Sequence, residues 1–248
     1  MADGTLLGSY FYHDIIPWDD DMDIMVDYHD YFRLKKIFHN TSIWSKYNLC
    51  GYADSFNEYE FGLLNKVYPD FDEIKTIKGE KLVTSNRTRF HKLRIFSSQA
   101  KKSEKYPWRW PFIDMTFFKY NSTRFWSYDV IQYFMPIDYF FPFHLRLFMG
   151  RWLPAPHRTG LFLKRKLGKL GKFVCQSGPL DHKNEVTVSR RERVSVPCHF
   201  LDKVYVKIIR SKLENGYTNE TAIIADKILY SAAIEEDFDD VKLFRNYK

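Results

Sequence analysis

Four aspartates stand within five residues of one another near the amino terminus, at Asp19, Asp20, Asp21 and Asp23. Carboxylates this close repel one another unless a positive charge lies between them. Asp21 and Asp23 begin an apolar stretch that predicts a strand, and because strand side chains alternate, the two project from the same face. Adjacent carboxylates form a hard oxygen site suited to Mg²⁺ or Mn²⁺, which such sites share with substrate phosphates. The aspartates therefore predict a divalent-metal site, with a solvated acidic turn as the alternative.

A glycine-serine pair, Gly8 and Ser9, precedes the aspartates within the segment Leu6–Tyr10. A Gly-Ser turn at the start of a helix brings backbone N–H groups and a hydroxyl close to a phosphate. The pair alone indicates little. Together with the acidic strand it fits the nucleotidyltransferase arrangement, in which a Gly-Ser helix start faces an Asp-x-Asp strand. We therefore predict that Gly8 and Ser9 contact the phosphate of a donor substrate.

A further carboxylate, Asp114, interrupts the apolar segment Pro111–Phe118. An ionised aspartate inside such a strand is costly unless a metal or a hydrogen-bond donor compensates it. The alternative is an edge position at which the aspartate faces solvent. The functional interpretation places Asp114 beside Asp21 and Asp23, either as a third metal ligand or as the base that accepts a proton from an acceptor hydroxyl.

The elements that must position these residues mix without a regular β-α-β period, which favours an α+β fold or an irregular α/β sheet, in one domain of 248 residues. Runs bounded by breaker residues predict strands at Met22–Asp27, His91–Phe96 and Phe112–Lys119, with Thr123–Val130 returning antiparallel to the last. Apolar spacings of three and four predict helices at His29–Phe38, Gly160–Leu167 and His199–Leu213, and more weakly at Ala222–Ala233. We expect a mixed sheet flanked by helices over about residues 3–170, and a helical extension over about 195–248.

The composition excludes several classes of protein. Of 248 residues, 45% are hydrophobic and 18% aromatic, unlike a disordered chain, and three cysteines are too few for a disulfide-rich miniprotein. With 38 Lys and Arg against 31 Asp and Glu the net charge is +7, but the basic residues are dispersed and carry no nucleic-acid motif. We interpret the basic residues as solvated faces of the protein, or as groups that attract a phosphate-bearing substrate. We expect no nucleic-acid partner.

The cysteines and possible glycosylation sites bear on the compartment. Four Asn-x-Ser/Thr sequons favour a secretory lumen, and they lie at Asn40, Asn86, Asn121 and Asn219. Cys50, Cys175 and Cys198 can form one disulfide, but the sequence does not pair them. The first eight residues are not a signal peptide, because no basic segment precedes an apolar one. These residues resemble a segment from the interior of a domain. We therefore expect a truncated first strand, with any membrane anchor upstream of it.

Two segments closely resemble the signature of the LicD family, which includes bacterial phosphocholine transferases and the animal proteins fukutin and fukutin-related protein. They are Asp-Gly-Thr-Leu-Leu-Gly at residues 3–8 and Ile-Pro-Trp-Asp-Asp-Asp-Met-Asp-Ile at residues 16–24. His91-Lys92-Leu93-Arg94 and Phe112–Phe118 extend the similarity to about residue 120, and Arg151–Lys169 is similar to a later family segment.

The resemblance implies a nucleotidyltransferase-like fold and an enzyme that uses a CDP-activated donor and a divalent cation. Such enzymes transfer a phospho-alcohol, phosphocholine or ribitol phosphate, to a hydroxyl of a glycan or glycoprotein and release CMP. At the matching positions Asp21 and Asp23 would be metal ligands supported by Asp19, and Lys92 and Arg94 would contact the donor phosphate. Together with the sequons, the resemblance predicts the Golgi or another secretory lumen.

One departure from the family pattern follows Gly8. Family members often carry Arg and His where this chain has Phe11 and Tyr12, so a cation is missing. The alternative to an enzyme is therefore a non-catalytic relative that binds a glycan or a nucleotide.

Two further places in the sequence could contribute to the site. His13 is either a partner of the metal ligands or a surface residue. The loop Asp181-His182-Lys183 either contacts the acceptor or is a plain loop.

Overall fold

A computed structural model describes residues 1–38, 46, 48–53, 93–103, 108–127, 134–167, 174–178 and 180–241. Its largest element is a six-stranded sheet built from β1 (Met22–Asp27), β2 (Leu49–Ala53), β3 (Leu93–Lys102), β4 (Arg109–Tyr120), β5 (Arg124–Ser127) and β6 (Phe134–Pro136). The order is β2-β3-β4-β5-β6, and β1 pairs with β4. The β1–β4 pair is parallel, and the other pairs are antiparallel, so the sheet is mixed.

Helices accompany the sheet and enclose an aromatic core. They are α1 (Asp3–Tyr12), α2 (Tyr31–Phe38), α3 (Thr159–Leu167) and the short α4 (Phe238–Val241). Leu6 and Tyr10 of α1 pack in one buried cluster with Phe118 and Phe125 of the sheet and Phe162 of α3. Large aromatic rings contribute most of the apolar area that such a core removes from water. The high aromatic content of the chain therefore serves this core.

Smaller antiparallel sheets follow along the chain. β7 (His144–Phe148) and β8 (Arg151–Ala155) form a hairpin, β9 (Val174–Gln176) pairs with β12 (Ser195–Pro197), and β10 (Leu180–Asp181) pairs with β11 (Val186–Thr187). β13 (Lys207–Lys212), β14 (Tyr217–Ile224) and β15 (Lys227–Asp237) form a three-stranded sheet. A disulfide joins Cys175 to Cys198.

In the described part of the chain no helix is both long and apolar enough to cross a membrane.

The elements predicted for the core are confirmed, and their mixture agrees with an α+β fold. The first predicted strand has the observed bounds of β1, and the predicted antiparallel return is β5. The helix predicted from His29 begins instead as a 3₁₀ turn at Tyr28–Asp30 and continues as α2. β3 begins at Leu93 among the described residues, which do not include His91 and Lys92.

The helices predicted at His199–Leu213 and Ala222–Ala233 are wrong. A 3₁₀ helix at Cys198–Lys203 leads into β13, and the second segment belongs to β14 and β15. The buried positions of β14 are Thr218, Glu220 and Ala222. Because polar side chains occupy two of these three positions, the two-residue period of the strand does not show in a hydrophobic pattern. The expected helical extension is therefore mainly a sheet.

A buried ionic cluster fastens this C-terminal sheet to α1 and β7. Arg146 of β7 donates to Glu220 over 2.6 Å and to Glu236 over 2.8 Å, and Arg210 donates to Glu220 over 2.7 Å. His13, at the end of α1, lies 2.6 Å from Glu220 and is buried. The alternative of a surface position for His13 is therefore wrong, because this histidine belongs to the cluster.

Candidate functional site

Three charged residues stand side by side on adjacent strands of the central sheet. In the register of β1, β4 and β3, Asp23 pairs with Asp114, and Asp114 pairs with Arg94. Paired residues on neighbouring strands project from the same face, so the three side chains form a row across the sheet. Asp114 is 1% exposed and its strand has a neighbour on both sides. The alternative of a solvent-facing edge position is therefore excluded.

Asp21, which directly precedes β1, completes a group of three carboxylates with Asp23 and Asp114. One oxygen from each of the three lies within 4.8 Å of the others, and Asp21 is 6% exposed. Three negative charges at this separation repel strongly, because a buried site is poorly screened by water. Carboxylate oxygens are the ligands that Mg²⁺ and Mn²⁺ prefer. This group, the carboxylate trio, is the predicted convergence of Asp21, Asp23 and Asp114.

The first turn of α1 lies against the trio. The Gly4 N–H donates to Asp23 Oδ2 over 3.2 Å, and the Asp23 N–H donates to Thr5 Oγ1 over 2.7 Å. The N–H groups and partial positive charge of a helix N-terminus stabilise an anion placed there. The helix start that faces the acidic strand is thus at Asp3–Thr5, and not at Gly8-Ser9 as the sequence predicted.

Asp19 lies beside the same turn of α1. A Cβ added to Gly4 would come within 2.2 Å of Asp19 Oδ2, so the missing side chain of Gly4 makes room for this carboxylate. Burial raises the pKa of Asp19, and the neighbouring His182 opposes that shift. Among the described residues, Asp19 belongs to neither group of side chains that could hold a metal. Asp19 therefore lies near Asp20 and His182 but is not a member of the trio.

Gly8 and Ser9 lie in the second half of α1, where both are buried. Ser9 Oγ donates to the Leu147 carbonyl oxygen over 2.8 Å, and a Cβ on Gly8 would meet the Asp14 carbonyl oxygen at 2.3 Å. The two residues thus let α1 pack closely against β7 and against the chain that follows the helix. This placement gives no support to their predicted contact with a donor phosphate.

Arg94 on β3 is held by ion pairs and by aromatic faces. Its Nε donates to Asp114 Oδ1 over 2.7 Å and its Nη1 donates to Glu185 Oε1 over 3.1 Å. The guanidinium carbon lies 3.9 Å from the ring centre of Trp108 and 4.3 Å from that of Phe112. A planar guanidinium suits both kinds of contact. Arg94 therefore lies at the site, as predicted, with its charge directed to carboxylates.

The hairpin β10–β11 brings the loop Asp181-His182-Lys183 to the acidic segment. His182 Nδ1 lies 2.5 Å from Asp20 Oδ1, and its Nε2 lies 3.4 Å from Asp21 Oδ2. Asp20, Asp21 and His182 form a second group whose ligand atoms lie within 4.8 Å of one another. The loop therefore reaches a member of the trio, and its predicted contact with an acceptor stays a prediction.

Two positions that depart from the family pattern are used in packing. Phe11 is half-buried against the aromatic core, and Tyr12 is buried with its hydroxyl 3.9 Å from Cys175 Sγ. Neither side chain supplies the positive charge that Arg and His would bring. The predicted phosphate contact Lys92 lies outside the described residues.

Two residues at the site, Asp20 and Glu185, have no role assigned to them from the sequence, although Asp20 belongs to the cluster of four aspartates. Glu185 is 91 residues from Arg94, and Asp20 is 162 residues from His182, so no local pattern links these partners. Glu185 lies two residues beyond the candidate loop Asp181-His182-Lys183, and the density of ionisable side chains in Asp181–Glu185 is the signal that could have included it.

The arrangement combines groups that phosphoryl transfer requires. The trio offers hard oxygen ligands, the first turn of α1 offers backbone N–H groups, and Arg94 adds a guanidinium. Cations and fixed donors at such a site stabilise the charge that develops on a transferring phosphoryl group.

Comparison with known proteins gives a family match. A family model described as "LicD/FKTN/FKRP, nucleotidyltransferase domain" matches residues 1–55 and 57–158, which is more than half of the chain. The matched part contains α1, the carboxylate trio and Arg94, and it ends before the hairpin β10–β11. No match was found among curated proteins or among solved structures.

Proposed function

Since the chain belongs to the LicD/FKTN/FKRP family, we propose that it moves a phospho-alcohol from a CDP-activated donor to a hydroxyl of a glycan or glycoprotein. The transferred group would be phosphocholine or ribitol phosphate, and CMP would be released. Family membership by itself indicates a phosphotransferase-like activity. The observation that carries the finer proposal is the carboxylate trio, with oxygens of Asp21, Asp23 and Asp114 within 4.8 Å of one another.

The trio is the proposed site of Mg²⁺ or Mn²⁺. All three members offer carboxylate oxygens, and Arg94 is ion-paired with Asp114, so a divalent cation would add to the positive charge already beside this buried group. A cation bound there would offset the negative charge of the donor pyrophosphate as CMP leaves. The Gly4 N–H and the Thr5 hydroxyl hold Asp23 in position for this task.

In the proposed reaction the acceptor hydroxyl oxygen attacks the phosphorus that carries the alcohol group. The new oxygen–phosphorus bond forms while the bond from this phosphorus to the bridging oxygen breaks, and CMP leaves with the electron pair. The hydroxyl proton passes to water. Two roles are predicted for Asp114, metal ligand and general base. The place of Asp114 in the trio and its ion pair with Arg94 favour the role of metal ligand.

We propose the Golgi or another secretory lumen as the location. The Cys175–Cys198 disulfide supports this, because disulfides persist in oxidising compartments. The sequon at Asn121 lies in the turn between β4 and β5, next to the exposed residues 122–124. A lumenal enzyme would meet glycoprotein acceptors directly.

A donor screen tests the proposed activity. The full chain is incubated with Mn²⁺, an oligosaccharide mixture released from glycoproteins, and either CDP-choline or CDP-ribitol, and CMP is followed by chromatography. We expect CMP release from one of the two donors, and we expect EDTA to stop it and excess Mn²⁺ to restore it. Absence of CMP from both donors at saturating Mn²⁺ would contradict the proposed activity.

The second candidate is a non-catalytic relative that binds a nucleotide or a glycan. It is favoured by Phe11, which is half-buried against the core at a position where the family often has an arginine. The same screen separates the two, because this candidate predicts Mn²⁺-dependent binding of the CDP-linked donor without any release of CMP.

A further inference from the structure

Residues 174–178 and 180–198 belong to a closed loop that lies outside the part of the chain matched by the family model. The disulfide Cys175–Cys198 and the β9–β12 pair join its two ends, and its middle carries the hairpin β10–β11. We call this segment the strap.

One side of the strap holds the acidic segment that precedes β1. The His182 ring spans from Asp20 Oδ1, at 2.5 Å, to Asp21 Oδ2, at 3.4 Å. Lys183 Nζ lies 5.5 Å from the ring centre of Trp110, and Trp110 Nε1 donates to the Asp20 carbonyl oxygen over 2.9 Å. The strap therefore contacts the side chains of the segment that presents Asp21 to the trio, and it contacts the backbone of that segment only through Trp110.

The other side of the strap holds Arg94. Glu185 Oε1 accepts from Arg94 Nη1 over 3.1 Å and from Trp108 Nε1 over 2.9 Å, and Arg94 in turn donates to Asp114. Glu185 has a φ of 53° and is the last residue of the turn before β11, where hairpin loops commonly have a left-handed residue. Two members of the trio, Asp21 and Asp114, are thus connected to the strap.

The disulfide matters because the ladders of the strap are short. β9 and β12 share three residue pairs and β10 and β11 share two, and isolated two-stranded ribbons are marginal in water. A cross-link between residues 23 apart removes much of the freedom that an open loop would regain. The covalent bond therefore adds to the ion pairs that keep His182 and Glu185 against the site.

We propose that the strap is a positioning device for the carboxylate trio. His182 holds Asp21, Glu185 holds Asp114 through Arg94, and the Cys175–Cys198 disulfide keeps both in place. His182 and Glu185 are positioning residues, since they act through Asp21 and Arg94. The inference rests on the proposed function. Its consequence is that breaking the disulfide weakens cation binding while the central sheet stays folded.

The test is the Mn²⁺ affinity of the full chain, measured by isothermal titration calorimetry without donor or acceptor. We expect about tenfold weaker binding for His182→Gln, for Glu185→Gln and for the double variant Cys175→Ser/Cys198→Ser, which is the usual effect of removing a residue that orients a metal ligand. Asp21→Asn should abolish binding. The control His29→Gln should not change it, because His29 is exposed and pairs with Asp27 outside the trio.

Reduction of the disulfide in the wild-type protein is a second, independent test. Tris(2-carboxyethyl)phosphine should weaken Mn²⁺ binding of the wild type to the level of the double variant and should leave the double variant unchanged. Hydrogen exchange should become faster across residues 180–187 and stay slow in β3 and β4. If the double variant unfolds, His182→Gln and Glu185→Gln, in which the disulfide is intact, decide the question.

The outcomes separate this inference from the proposed function. Wild-type Mn²⁺ affinity in the strap variants, in a protein whose Asp21→Asn variant has lost binding, would overturn the strap inference alone. Wild-type affinity in Asp21→Asn would instead overturn the proposed cation site, and the strap inference with it.

Discussion

At the scale of single residues, each carboxylate of the trio is compensated by a different kind of neighbour. Asp23 accepts from the first turn of α1, Asp114 is paired with Arg94, and Asp21 lies 3.4 Å from His182. Because these partners belong to different elements, three carboxylates can stand close together in a buried site without each competing for the same donor.

A buried histidine outside the site gives a pH dependence that can be measured. His144 lies between Thr159 and the backbone of Glu235, and burial, with the neighbouring Arg146, lowers its pKa to about 3. The unfolded histidine titrates near pH ~6.5. Between these values the unfolded chain binds one more proton than the folded chain, so the free energy of unfolding falls as the pH falls through this range.

We therefore expect His144→Gln to lose this dependence. Urea denaturation of both proteins between about pH 6 and pH 4.5 should show the wild type losing stability relative to the variant, by up to about 1.4 kcal/mol per pH unit. Taking the difference cancels the contributions of other titrating groups that the two proteins share. Parallel curves for the two proteins would show that His144 is not buried in the neutral form.

The convergence of the trio could be predicted from the sequence, because strand alternation puts Asp21 and Asp23 on one face and a buried aspartate needs a partner. The contacts between the site and the strap could not be predicted from the sequence. Asp20 meets His182 and Arg94 meets Glu185 only after the chain has folded, and no spacing rule connects residues so far apart in sequence.

At the scale of elements, α1 has two separate tasks along its length. Its first turn donates to Asp23, and its second half packs against the segment that follows the helix, with Gly8 at the closest approach. The sequence placed the helix start at Gly8 because Gly-Ser pairs are common in turns, whereas this glycine is required by a steric contact inside the helix.

Gly8→Ala tests this interpretation. A Cβ at this position would lie 2.3 Å from the Asp14 carbonyl oxygen, which is backbone and cannot easily move. Overpacking of this kind costs about 1–3 kcal/mol, and it opposes the gain of about 1 kcal/mol that alanine has over glycine in a helix. We expect a lower free energy of unfolding in urea denaturation for Gly8→Ala.

The matched control is Gly178→Ala, where the nearest atom to an added Cβ is 3.7 Å away. Its free energy of unfolding should stay within about 0.5 kcal/mol of the wild type, as for most substitutions without a specific contact. Equal stability of the two alanine variants would contradict the close approach at Gly8.

The strands of the core were predictable and those of the C-terminal sheet were not, for one physical reason. β4 buries apolar side chains and β1 buries its apolar side chains in part, so the hydrophobic pattern of both sequences shows the strands. β14 buries Glu220, whose compensation comes from Arg146, Arg210 and His13 on other elements. A pattern of hydrophobicity records the first kind of burial and misses the second.

At the scale of the whole molecule, the buried ionic cluster couples the C-terminal sheet to the helix that supports the trio. Burial alone would raise the pKa of Glu220, but Arg146 and Arg210 hold it well below its usual value. Burial raises the pKa of Glu236 to about 7, and Arg146 only partly offsets this shift. Arg146, which is fully buried, is therefore the residue on which both glutamates depend.

Arg146→Met should destabilise the whole chain. Removing one partner of a buried ion pair leaves an uncompensated charge and costs about 3–5 kcal/mol, which urea denaturation at pH 7 can measure. Arg165→Met, at an exposed position of α3, is the control and should change the free energy of unfolding little. A loss of the same size in both variants would mean that the cluster does not join the two parts.

The proposed function assigns a metal-dependent phosphoryl transfer to the carboxylate trio. The most direct measurement is the rate of CMP release at saturating Mn²⁺ by Asp21→Asn and Asp23→Asn, compared with Asp30→Asn, whose side chain is exposed and pairs with Arg33. We predict a loss of about 100-fold or more in both trio variants, with unchanged circular dichroism and melting temperature, and a wild-type rate in Asp30→Asn. A near-wild-type rate of CMP release in either trio variant would contradict the claim.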